Sequence, residues 1–63
     1  MWIKTPDGRL HHCERGTLEV EVGTLKFTPH GGKPVVLSSD VDTERARRRL
    51  ETGIMQRQVL VEV

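Results

Sequence analysis

Ser39–Gly53, Ser-Asp-Val-Asp-Thr-Glu-Arg-Ala-Arg-Arg-Arg-Leu-Glu-Thr-Gly, is the only segment of this 63-residue chain that reads as a helix, and the fold follows from its place near the end. Asp42 stands where an N-cap belongs, its carboxylate placed to accept a hydrogen bond from the first turn, and Val41 can staple onto Ala46. Ser39 is an alternative, earlier cap. Gly53 stands where a left-handed C-terminal cap belongs, so the helix is expected over about residues 43–52. At about 100° per residue, Thr43, Ala46 and Leu50 share one side. That stripe is narrow, with Leu50 as its anchor, and a sheet rather than the helix is expected to hold the fold.

Outward from the helix the chain reads as strands and turns. Toward the C-terminus, Ile54–Val63 sets Val59, Val61 and Val63 on one face and Leu60 with Glu62 on the other, as a closing strand does. A strand so rich in β-branched residues is expected either to be inserted in the sheet or to pair with a partner chain, a homodimer through sheet extension being one such outcome. Toward the N-terminus, Val35–Leu37 reads as a short apolar strand and Pro29–Pro34, with two prolines bracketing two glycines, as a hairpin connection. Its glycines match neither the GxxxxGK[ST] nor the GxGxxG pattern of phosphate-binding loops.

Thr17–Val22 alternates strictly and puts Leu18, Val20 and Val22 on one face. The apolar parity then shifts to Leu25 and Phe27. A two-residue turn at Gly23-Thr24 accounts for the shift, setting Val22 opposite Leu25, Val20 opposite Phe27 and Glu21 opposite Lys26. One long strand bent by a bulge at Gly23 is the competing reading. Near the start, Pro6-Asp7-Gly8 marks another hairpin, because proline presets φ, aspartate bonds its local backbone and glycine accepts φ > 0. The expectation is therefore a single α+β domain over residues 1–63: a small antiparallel sheet or open barrel of five to six short strands, with one helix before the last strand.

Composition excludes several classes of function. At 63 residues the chain is one domain, which leaves no cleft between domains for catalysis, and it buries only about 60% of the surface of its unfolded chain, so marginal stability is expected unless it oligomerises. Ten Lys+Arg against nine Asp+Glu give a net charge of +1, too balanced for the total alone to argue for nucleic acid. No apolar run is longer than the three residues of Val35-Val36-Leu37, far short of the roughly 20 residues of a membrane span, so no membrane partner is expected. Cys13 is the only cysteine and cannot form an internal disulfide; with no stretch resembling a signal peptide, the protein reads as cytoplasmic.

The charge is concentrated on the helix. Arg45, Arg48 and Thr52 lie opposite the buried stripe, with Arg47 and Arg49 on its flanks. Glu44 and Glu51 are each in reach of Arg47 or Arg48 through i,i+3 and i,i+4 spacing. Arg45 and Arg49 are left as neighbours of like sign, and only Asp42 can approach Arg45. A solvated arginine face is the plain explanation; the functional one is a binding surface of Arg45, Arg48 and Arg49, with Arg57 as a fourth member.

Other chemistry has thin support. His11, His12, Cys13 and His30 are metal-capable, but no second cluster supplies paired ligand spacing, and neither metal nor cofactor is expected. A nucleophilic Cys13 would need a lowered pKa, an orienting group and a sheltered pocket, and one Trp, one Phe and no Tyr give little material for walls. No enzymatic activity is expected. Binding remains, in two forms. Arginine makes bidentate bonds to carboxylates and packs its stem on apolar surface, as a protein interface requires. Alternatively Arg45, Arg48, Arg49 and Arg57 contact phosphates, although a single-strand binder wants an aromatic platform and Trp2 and Phe27 are expected in the core.

The run Gly32-Lys-Pro-Val-Val-Leu-Ser, followed by Glu44-Arg-Ala-Arg-Arg-Arg-Leu-Glu-Thr-Gly-Ile54, resembles small accessory proteins of Mu-like tailed phages and prophages over about a third of the chain. Those proteins share an extended segment ending in a polar cap, an Arg-Arg-Leu helix, a following glycine and a closing strand. The resemblance implies an accessory or virion-assembly protein that acts by binding another protein. A host-directed inhibitor from a mobile element is equally compatible with it.

Overall fold

Strand β1 (Trp2–Lys4) turns back through Pro6-Asp7-Gly8 into β2 (Leu10–His12), the antiparallel hairpin that the turn residues announce. Gly8 N–H donates to the Thr5 carbonyl at 2.9 Å with φ +87°, and the Asp7 carboxylate accepts from the Thr5 hydroxyl and, at 3.1 Å, from Arg9 N–H. These bonds close the turn within its own residues. The computed structural model describes residues 1–63, and in it the chain continues through β3 (Gly16–Glu21), β4 (Thr24–Pro29), β5 (Val35–Ser38), α1 (Thr43–Met55) and β6 (Leu60–Glu62).

The protein is a small α+β domain of six short strands with its helix before the last of them, and it is not a closed barrel. The strands divide into two sheets, β2-β1-β6 and β3-β4-β5. The second is an antiparallel meander. In the first, β6 lies parallel to β1, with Ile3 beside Val61, and α1 supplies part of the long return that a parallel pair needs. A single sheet would have to bury one continuous face under a helix that offers only a narrow stripe; two sheets instead bury their inner faces against each other and against that stripe. One cluster of buried side chains results, with Ile3 and Val61 from the first sheet, Val20, Leu25 and Phe27 from the second, and Ala46 and Leu50 from α1.

The β3–β4 hairpin forms, but its turn is Val22-Gly23 rather than Gly23-Thr24. Val20 therefore faces Leu25, Leu18 faces Phe27, and Lys26 lies opposite Glu19 instead of Glu21. Both registers keep Leu18, Val20, Leu25 and Phe27 on the core face and differ only in Val22, so parity could not separate them. The turn's docking does: Gly23 N–H donates to Thr43 Oγ1 at 2.7 Å, and the Gly23 carbonyl accepts from Val41 N–H at 3.1 Å, tying the hairpin tip to the start of α1. Val22 and Gly23 both take positive φ, +41° and +75°, the handedness that matches strand twist. Val22 is thus not a core residue; its side chain is 96% exposed.

A β-branched residue in the left-handed region costs about 1–2 kcal/mol. Val22→Asn, which tolerates that conformation, is expected to raise stability by about 1 kcal/mol, a rise in Tm of roughly 4–8 °C for a domain of this size. Thermal unfolding followed by circular dichroism checks this, and an unchanged or lower Tm would count against the turn as described.

The helix starts as its sequence dictates. Asp42 is extended, and its side chain accepts from Arg45 N–H at 3.1 Å. Its end differs. Gly53 is buried inside the helix, which runs on to Met55, and Arg57 takes the left-handed position with φ +52°. Gln58 N–H then donates to the Gly53 carbonyl at 2.8 Å and closes the last turn. A Cβ at Gly53 would overlap the Val61 side chain, so glycine here lets α1 lie close on β6, and the buried stripe becomes Ala46, Leu50 and Gly53.

Trp2 also departs from expectation. It alternates with the fully buried Ile3, and a strand can turn only one of two neighbours inward, so Trp2 lies on the outer face of the first sheet, 41% exposed. There it stacks on His12 with ring centroids 4.6 Å apart.

Candidate functional site

The arginines of α1 separate by what each can reach. Arg47 is drawn back to the second sheet, where its Nη2 donates to the Val20 carbonyl at 2.8 Å on the outer edge of β3. It has no glutamate partner. Arg48 approaches Glu44 at 3.9 Å, and both side chains are 81% exposed, so the pair is worth at most about 1 kcal/mol and leaves the guanidinium open to solvent. Arg45 and Arg49 form no ion pair, although Asp42 is in reach of Arg45 by spacing, and Glu51 forms none either.

Arg48 and Arg49 border a cleft of about 480 Å³ between α1 and β6, together with Thr52, Gln58, Leu60 and Glu62. A second hollow of about 380 Å³ adjoins it and is lined by Asp42, Glu44, Arg45, Arg48 and Arg49. Because the two hollows share Arg48 and Arg49, Arg45 joins the same surface. Arg57 does not: it sits past the end of α1, outside the lining of either hollow, where its backbone serves the helix cap. Three of the four arginines expected to act together are therefore brought together.

The floor of the larger cleft is a sheet edge. Trp2 N–H donates to the Val59 carbonyl at 2.6 Å and Val63 N–H to the Lys4 carbonyl at 3.0 Å, so the odd-numbered residues of this segment bond to β1. In a parallel ladder the intervening residues point the other way, and Leu60 and Glu62 turn their N–H and C=O groups outward from the terminal strand of the sheet. Leu60 is 46% exposed, and the Glu62 carboxylate is 4.0 Å from Lys4 Nζ on the sheet's outer face.

The remaining chemically capable residues serve local structure. His11 Nε2 lies 3.3 Å from Thr5 Oγ1, and His12 Nε2 lies 3.1 Å from Glu14 Oε1. His30 sits in the β4–β5 connection, with its backbone N–H on the Arg15 carbonyl at 2.8 Å. No three His, Cys, Asp or Glu side chains are gathered in a metal-holding arrangement. Cys13 is a free, buried thiol, and burial pushes its pKa up, away from the thiolate that nucleophilic chemistry needs. Asp7 is held below the ordinary carboxylate value, first by the Thr5 hydroxyl and then by Arg9 N–H, as a closed turn requires.

No helix is long and apolar enough to cross a membrane. Comparison with protein-family models, curated proteins and solved structures finds no match. The functional reading therefore rests on the arginine surface and the strand edge beside it.

Proposed function

We propose that this chain is a small, non-enzymatic protein-binding module that docks an acidic segment of its partner on Arg45, Arg48 and Arg49. The observation that carries the reading is that Arg45 and Arg49 have no ion-pair partner on a helix face bordering an unpaired strand edge. Like-charged neighbours at i,i+4 weaken an isolated helix by a few tenths of a kcal/mol. A carboxylate supplied by a partner removes that repulsion and gains bidentate bonds from each fork. The resemblance of the segment to small proteins of Mu-like phages accords with an accessory role, in virion assembly or as a host-directed inhibitor. A cytoplasmic setting accords with the free Cys13.

Phosphate binding is the second reading, and the exposed Trp2 supplies the aromatic surface it wants. That ring is already stacked on His12, however, and the neighbouring Lys4 and His12 side chains lie beside Glu62 and Glu14. Trp2 also lies on the opposite face of the first sheet from the side on which α1 packs against Val61. A phosphate backbone carries charge at every step and would meet Glu62 beside the edge with like charge, whereas a peptide can carry carboxylates at alternate positions only.

A labelled peptide of alternating glutamate and valine is expected to bind saturably and to lose at least about tenfold in affinity to Arg45→Glu/Arg49→Glu, read by fluorescence anisotropy. A single-stranded oligonucleotide that binds more tightly than the peptide, with affinity falling steeply with salt, would replace the protein reading with the phosphate one.

A further inference from the structure

We infer that the partner segment is an extended strand that adds to the outer edge of β6, with acidic residues turned toward α1 and apolar residues beside Leu60. This rests on the docking surface proposed above and specifies how it is filled. Leu60 and Glu62 present unpaired backbone groups at the terminal strand of the first sheet, next to Arg48 and Arg49. Edges are normally blunted, and two others in this fold are: Arg47 occupies the Val20 carbonyl on β3, and a register break against β4 interrupts β5. At β6 the bordering side chains instead leave an open cleft of about 480 Å³. Main-chain bonds to such an edge supply affinity, and the alternating side chains supply specificity.

The two sides of the edge differ in chemistry. Val61 points inward to Gly53, so a strand laid beside β6 turns every second side chain to the helix side, where Arg48 and Arg49 stand. The intervening side chains fall beside Leu60 and Glu62, where a further carboxylate would meet Glu62. Acidic residues are therefore favoured at alternate positions only, separated by apolar ones. A second copy fits less well: antiparallel self-pairing centred on Val61 would bring Arg48 and Arg49 of both copies together on the same face.

The test uses the intact chain and three acetylated, amidated hexapeptides of alternating glutamate and valine: unmodified, N-methylated on every glutamate, and N-methylated on every valine. Strand addition turns the N–H groups of one residue set toward β6 and those of the other set away. One methylated peptide is expected to bind at least about tenfold more weakly than the parent while the other keeps its affinity, and the parent is expected to slow hydrogen exchange at the Leu60 and Glu62 amides. If both methylated peptides bind as the parent does, the strand geometry is overturned and the arginine surface stands. If the parent does not bind, both fail. If Leu60 and Glu62 are already protected in the free protein and light scattering shows a dimer, the edge belongs to a second copy and the inference is overturned.

Discussion

Leu25→Ala is expected to leave a substantial fraction of the protein unfolded at room temperature. Leu25 is fully buried in β4, the central strand of the second sheet, and lies opposite Val20 on one side and Ser38 on the other. Truncating a leucine in such a site costs about 2–5 kcal/mol, because the transfer energy is lost and the surrounding strands close the cavity only in part. At the usual ~0.05–0.15 kcal/mol per residue, a domain of this size has about 3–9 kcal/mol in all. The loss corresponds to a fall in Tm of roughly 10–30 °C, read by thermal circular dichroism. A Tm within a few degrees of the parent would mean that the second sheet does not pack through this residue.

Gly53→Ala is the second large effect, and its sign runs against propensity. Alanine in place of glycine within a helix gains about 1 kcal/mol, and a helix ending at Thr52 with Gly53 as its cap would predict a mild effect. Here the added methyl overlaps Val61 Cγ2, whose side chain is buried in the core and cannot swing aside. Overpacking of this kind costs about 1–3 kcal/mol, and the severity of the overlap puts it at the upper end. The expected net loss is about 2 kcal/mol, with Val61→Ala in the same chain recovering most of it. A double-mutant cycle by denaturant unfolding measures the coupling. Independent, additive effects would contradict the close approach of α1 to β6, and with it the shape of the cleft.

These two residues show which features the sequence carried openly and which it did not. Leu25 was legible as a core position because alternation fixes faces whatever the register. The Asp42 cap, the Ala46 and Leu50 stripe and the Pro6-Asp7-Gly8 turn were legible because each is decided by residues close in the chain. Gly53 was misread because its reason is a neighbour eight residues on, Val61, seen only once β6 is paired to β1. The turn at Val22-Gly23 was misread likewise, its deciding bonds coming from Val41 and Thr43. Trp2 could have been placed outward from Ile3 alone, since adjacent strand residues cannot both face the core. Of the site, the unpaired Arg45 and Arg49 followed from helical spacing, whereas the sheet edge beside them depends on which strand ends the sheet, a matter of topology that local pattern does not encode.

Binding of carboxylates supplied in an extended segment is the property that defines the proposed arginine docking surface. Titrating one labelled glutamate–valine peptide into the parent protein and into folded Arg45→Glu/Arg49→Glu tests that most directly. Saturable binding to the parent and at least about tenfold weaker binding to the variant are expected, a loss of about 1.4 kcal/mol or more. Equal affinity for the two proteins, or no saturable binding to the parent, would contradict the proposed docking.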